Sequence, residues 1–186
     1  MNYSEVELKV RNATSNEPWG ASPDLMQEIA LATFDPCVPL WPSLALLTGR
    51  SFSSACKRVT DVLFKRLGDR KNWRHVYKGL ALLEYLVKAG SSQFLQDVAD
   101  RMSDIDAATA IQFADESETD HSVVRTRARE VATLLRNKEA VEHERQPFAA
   151  FREAAMQEAA EELATETEGR RLRKSVRLRC SIDRLC

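Results

Sequence analysis

Four side chains that can carry charge crowd the start of one stretch. They are Lys71, Arg74, His75 and Lys78 in K-N-W-R-H-V-Y-K-G-L-A-L-L-E-Y-L-V-K-A-G, Lys71–Gly90. The stretch reads as one helix of about five turns, on which the four share a side. Their side stays polar only for the first two turns, because Leu82, Tyr85 and Leu86 fill it further on. Trp73, Val76, Tyr77, Leu80, Leu83 and Val87 follow the i, i+3, i+4, i+7 spacing and form the opposite, inward face. A helix apolar nearly all round is a core helix. One end of it therefore emerges with basic groups, where backbone N–H groups and the positive end of the helix dipole also point. This combination suits a multiply charged anion such as phosphate. A basic cluster alone is more often a solvated first turn, so the rest of the chain decides. Gly90 ends the stretch and suits a left-handed C-terminal cap.

Other chemistry is thin. Glu84 lies in the apolar part of the same helix without a second carboxylate nearby in sequence. It reads as a buried carboxylate held by a basic partner, not a catalytic acid. His121 and His143 sit alone in polar surroundings and read as surface residues. No nucleophile motif is present, so no enzyme and no catalytic residues are expected. Cys37, Cys56, Cys180 and Cys186 lack C-x-x-C spacing. Reduced thiols are expected, with no metal and no cofactor. A net charge of −1 gives no global field for nucleic acid, so anion binding must come from a local patch.

The elements that must hold this patch are helical. With 186 residues, 44% hydrophobic and 30% charged, and only six Gly and six Pro, the chain suits an all-α fold. The start M-N-Y-S-E-V-E-L-K is too polar for a signal peptide, and no segment is long and apolar enough to span a bilayer. Asp183 stands where a prenylation signal needs Cys.

Ser4 with Glu7 predicts a capping box and a helix to Thr14, with Val6, Val10 and Ala13 inward and Arg11 outward. Ser15–Gly20 reads as a turn, and Ser22-Pro23 opens a second helix. Asp35–Phe52 holds Pro36, Pro39 and Pro42, carries no charge between Asp35 and Arg50, and reads as an extra apolar loop at 35–52. Ser53–Gly68 is helical with Val59, Val62, Leu63 and Leu67 on one face, and Arg66 falls near its end. Helical stretches follow at Ser91–Arg101 and Ile105–Phe113. An acidic loop is expected at Ala114–His121, then helices at Val123–Asn137 and Glu139–Glu168. The tail beyond Gly169 is basic and is expected to be disordered.

Two long stretches resemble the epsin N-terminal homology (ENTH) domain. They are N-Y-S-E-V-E-L-K-V-R-N-A-T-S-N-E-P-W-G (Asn2–Gly20) and K-R-L-G-D-R-K-N-W-R-H-V-Y-K-G-L-A-L-L-E-Y-L-V-K-A-G (Lys65–Gly90). L-M-Q-E-I-A (Leu25–Ala30) and V-R-T-R-A-R-E-V-A-T-L-L-R-N (Val124–Asn137) fit the same family. The resemblance implies a right-handed superhelix of about seven to eight helices, solenoid-like, followed here by the basic tail. It divides the chain into an ENTH-like domain at 1–144, a helical extension at 145–168 and the tail at 169–186. It implies a monomeric phosphoinositide-binding adaptor in clathrin-linked vesicle budding. The setting is cytoplasmic and peripheral at plasma membrane, endosome or Golgi-derived clathrin-coated vesicles, with clathrin coat components and SNARE cargo as candidate partners. Headgroup contacts carry over to Arg11, Asn16, Arg66, Lys71 and His75, with Arg74 nearby. The alternative reading is a protein-interaction module that holds cargo such as SNARE helices on its helical surface. The family places an amphipathic segment ahead of N-Y-S-E, whereas this chain starts at Met1. Weak membrane binding without tubulation is therefore expected of the chain as given. No N-P-F, D-P-W or clathrin-box motif occurs in it.

Overall fold

Ser4 and Glu7 open the fold as their spacing predicts. Glu7 N–H donates to Ser4 Oγ at 3.3 Å, and Ser4 N–H donates to Glu7 Oε2 at 2.6 Å. This box starts α1, Glu5–Ala13, which buries Val10 and Ala13. The computed structural model describes residues 3–34, 55–113 and 118–161. Every regular element among the described residues is helical. α2 spans Pro23–Ala32, capped by Ser22 with Pro23 at its first position. α3 spans Ala55–Leu67 and buries Val59, Leu63 and Leu67 at the expected spacing. α4 is Trp73–Ala89, α5 Ser92–Ala99, α6 Met102–Ala108, α7 Glu118–Arg136 and α8 Lys138–Arg145. A 3-10 turn, Gln146–Phe148, leads into α9 over 149–161. The expected apolar loop at 35–52 and basic tail at 169–186 lie outside the described residues.

The stretch Lys71–Gly90 is the hub. As α4 it packs against α1, α2, α3, α5, α7 and α8, and buries Val76, Leu80, Leu82, Leu83, Leu86 and Val87. The apolar surroundings on nearly every side explain why its hydrophobic residues are not confined to one stripe. Its first turns are the exception. Trp73 is only half-buried and meets Tyr77 edge-on, with ring centroids 6.2 Å apart. Tyr77, expected inward, is exposed, because it borders the polar sector one turn along from Arg74.

Gly90 corrects a second expectation. Its φ is −79° and its ψ 175°, an extended conformation rather than a left-handed cap. Glycine is required there for space. A Cβ would sit 2.5 Å from Leu86 O and 3.3 Å from Thr33 Oγ1. Gly90 N–H donates to Leu86 O at 2.7 Å, and Ser91 N–H donates to Thr33 Oγ1 at 2.9 Å, tying this corner to the end of α2.

The remaining carbonyls at this corner meet arginines. Arg145 is 4% exposed and donates from Nη1 to Val87 O and from Nη2 to Gly90 O at 2.9 Å. Arg152 donates to Lys88 O at 3.2 Å and to Arg145 O. Phe148 packs edge-on against Tyr85, centroids 5.8 Å apart, and Ala155 is buried. Glu139–Glu168, expected as one helix, is thus broken at Gln146–Phe148, where Pro147 removes a backbone donor. Ile105–Phe113 is corrected too. The helix starts at Met102 and stops at Ala108, and Ile111 and Phe113 are buried without being helical. The acidic segment is helical from Glu118, since acidic residues suit a first helical turn as well as a loop.

Candidate anion-binding site

α1 packs on α3, and α3 packs on the start of α4. A Cβ on Gly79 would lie 3.0 Å from Leu67 Cδ2 and 3.9 Å from Arg66 Cβ, so the end of α3 sits tightly against α4. Gly79 is one turn beyond His75 on the same face. This close approach brings Arg66, in the last turn of α3, beside His75, in the first turn of α4. Arg66 Nη1 lies 3.2 Å from His75 Nδ1.

Asp69 organises the turn between them. Its Oδ1 accepts from Lys71 N–H at 2.9 Å, an Asx turn. Its Oδ2 accepts from Asn72 Nδ2 at 3.4 Å and lies 2.8 Å from His75 Nδ1. The Lys71 N–H is spent on Asp69, and α4 therefore starts at Trp73, later than the sequence suggests. Burial pushes the Asp69 carboxyl up, but hydrogen bonds from His75, Lys71 N–H and Asn72 outweigh this and hold it below the usual range. An ionised carboxylate only accepts, so the hydrogen lies on His75 Nδ1. Arg66 Nη1 then faces an N–H instead of a lone pair, and its contact with the ring is not a hydrogen bond. The guanidinium keeps its donors for another acceptor.

Arg11 completes the core of the site. Its guanidinium stacks 4.1 Å from the Tyr3 ring centroid, and Nη2 donates to Tyr3 Oη at 3.1 Å. Burial and then the nearby charge of Arg11 push the Arg66 guanidinium down, while Asp69 opposes them. Nε of Arg11 and Nε of Arg66 are both shielded from solvent and make no hydrogen bond among the described residues. Two mutually repelling cations with unused donors suit an anion that presents several oxygens.

Three expected residues stand outside this core. Lys71 is exposed and joins it only through its backbone. Arg74 is exposed and turns onto Trp73, 5.2 Å from the ring centroid. Asn16 is exposed in the turn after α1 and bonds to none of the others. Tyr3 and Asp69 were missed by the sequence reading. D-x-K before a helix start signals an Asx turn and could have found Asp69. Nothing local marks Tyr3.

Elsewhere, Glu84 has the basic partners expected of it but is half-buried rather than buried. Its carboxylate holds Arg127 at 2.6 Å and Lys88 at 3.0 Å, and Lys88 also reaches Glu144 at 2.9 Å. His121 is less isolated than its sequence surroundings suggest. It is half-buried, accepts from Phe113 N–H at 3.4 Å and packs against the Phe113 ring. Cys56 is buried, and its Sγ donates to Asp97 Oδ2 at 3.8 Å. Among the described residues no cluster of His, Cys, Asp and Glu could hold a metal ion, and no helix is long and apolar enough to cross a membrane.

Known proteins resemble this chain in sequence and in fold. The ENTH domain profile matches residues 3–50 and 35–141. The two matches overlap where the sequence carries its apolar stretch. Human epsin-1 is 38% identical over 146 residues, and human epsin-3 is 39% identical over 146 residues. Each alignment covers 77% of this chain but 22% and 20% of the relatives, so the chain spans about a fifth of their length. Among solved structures, the human epsinR ENTH domain superposes with a TM-score of 0.65 at 30% identity, covering 79% of this chain and 98% of that one. The epsin-2 ENTH domain, solved in complex with phosphatidylinositol 4,5-bisphosphate, gives 0.64 at 28% identity, covering 80% and 94%. The profile match, the identity to the epsins and the superposition of the all-α fold agree: the chain belongs to the ENTH domain family.

Proposed function

We propose that this chain is a phosphoinositide-binding membrane adaptor module of the epsin type. The observation that carries the reading is the pairing of Arg11 and Arg66 beside a His75 oriented by Asp69. Without an anion the arrangement is repulsive, and with a polyphosphorylated headgroup it is satisfied. Arg11 and Arg66 fork onto phosphate oxygens, His75 donates from its outward nitrogen, and Lys71 adds a point charge. Asn16 and Arg74 lie at the rim and contact the headgroup from outside that core. Support comes from relatives: the epsin-2 ENTH domain binds phosphatidylinositol 4,5-bisphosphate, and ANTH and ENTH domains form tubules on membranes containing it. On the family resemblance, the module works peripherally in the cytoplasm, in clathrin-linked endocytic or Golgi–endosome traffic. Clathrin coat components and SNARE helices are its protein partners in this reading.

The test is cosedimentation with vesicles carrying phosphatidylinositol 4,5-bisphosphate against phosphatidylserine vesicles of equal surface charge. Preference for the former, lost in Arg66→Ala with Lys71→Ala while the fold persists, is expected. Equal sedimentation on both reduces the site to nonspecific electrostatics.

A further inference from the structure

Trp19 is the most exposed of the large apolar side chains among the described residues, at 72%. It stands in the turn between α1 and α2, directly after Pro18, which fixes one backbone angle. It makes no ring contact among the described residues. The turn leads directly from the last turn of α1, which carries Arg11, and α1 packs against α4. Trp19 therefore stands at the end of α1 that carries Arg11.

It has company. Among the described residues six large apolar side chains are exposed, and four stand on α1, just before it, in the turn after it or at the start of α4: Tyr3 at 40%, Leu8 at 46%, Trp19 and Tyr77 at 37%. Tyr3 stacks on Arg11, and Leu8 is one turn from Arg11 on the outer side of α1. Tyr77 is one turn from Arg74. Aromatic and aliphatic groups interleaved with arginine and lysine match the boundary between lipid headgroups and acyl chains, where indole rings prefer to sit.

We propose that Trp19 is a membrane anchor, whose indole enters the headgroup layer of the bilayer beside the lipid held by Arg11, Arg66 and His75. The proposal rests on the phosphoinositide reading of that site and adds a contact with the surrounding lipid. The headgroup fixes the orientation, and Trp19 adds apolar burial that a soluble headgroup does not offer.

The experiment compares the parent protein with Trp19→Ala on two probes: soluble inositol 1,4,5-trisphosphate, and phosphatidylcholine vesicles containing phosphatidylinositol 4,5-bisphosphate. Circular dichroism first checks that the exposed substitution leaves the fold intact. Trp19→Ala is expected to bind the soluble headgroup like the parent and to lose about tenfold in vesicle partitioning, comparable to burying one large apolar side chain. Tryptophan quenching by brominated lipid should fall in Trp19→Phe. Unchanged vesicle partitioning with intact headgroup binding overturns the anchor and leaves the site standing. Equal loss on both probes also overturns it, since Trp19 would then shape the headgroup site. A parent that binds neither probe overturns the phosphoinositide reading itself, and the anchor with it.

Discussion

Asp69 Oδ2 lies 2.8 Å from His75 Nδ1 and so decides which nitrogen of the imidazole faces outward. That nitrogen is Nε2, which makes no hydrogen bond among the described residues. In the neutral ring it is an acceptor, and phosphate oxygens also accept. Only the imidazolium donates from Nε2 to the ligand, so His75→Gln, which loses the charge, should lower headgroup affinity by about three- to tenfold. Calorimetric titration with the soluble headgroup measures this, and unchanged affinity would place His75 outside the contact. Asp69 gives the turn a pH dependence of its own. Its folded-state pKa lies below its unfolded value, so its contribution to stability is fully present above the ordinary carboxylate range and is lost as pH falls through it.

Arg66 should trade stability for binding. Burial and Arg11 both disfavour its charge, and its Nε is unsatisfied. Arg66→Met keeps the aliphatic stem and removes the repulsion. Stability should stay within about 0.5 kcal/mol of the parent or rise. Headgroup affinity should fall by at least a factor of about ten, as expected for one charge-assisted contact. Urea melts and headgroup titrations of the same samples check both halves. A large destabilisation would make Arg66 structural.

Trp73 is half-buried and touches Tyr77 edge-on. Trp73→Ala should cost about 1–3 kcal/mol, less than the 3–5 kcal/mol typical of fully buried aromatics. Thermal denaturation reads this, and a cost at the upper figure would mean that the first turn of α4 is as enclosed as its middle.

How much was legible follows from the range of each interaction. The capping box of Ser4 and Glu7, Pro23 behind Ser22, and the spacing of Val59, Leu63 and Leu67 are local, so sequence shows them. Of the candidate site, Arg66 and His75 were legible as neighbours because they flank one turn, and Arg11 came from the family resemblance. Tyr3 over Arg11 was hidden, since no local pattern announces a stacked ring. Gly90 was read as a left-handed cap because glycine usually serves that purpose. The real reason, crowding by Thr33 and the Leu86 carbonyl, comes partly from a helix far away in sequence.

Arg145 should prove costly to remove. Its guanidinium is almost wholly enclosed, and burial, then the charge of Arg152, push it down. Arg145→Met leaves the carbonyls of Val87 and Gly90 without their donors, so a loss of about 2–4 kcal/mol is expected. Chemical denaturation measures it, and near-parent stability would mean that water replaces the guanidinium at no cost.

The same arginine gives α4 a mechanical role. The helix is a rigid rod of 17 residues, roughly 25 Å long. Its first turn carries His75, and its last carbonyls are gripped by Arg145 and Arg152. A pull applied through α9 therefore enters at the far end of the rod that holds the candidate headgroup site. Tension runs along the helix axis and its ladder of hydrogen bonds, with few loops to stretch in between. A protein anchored to lipid at one end of such a strut transmits force from its C-terminal side with little give.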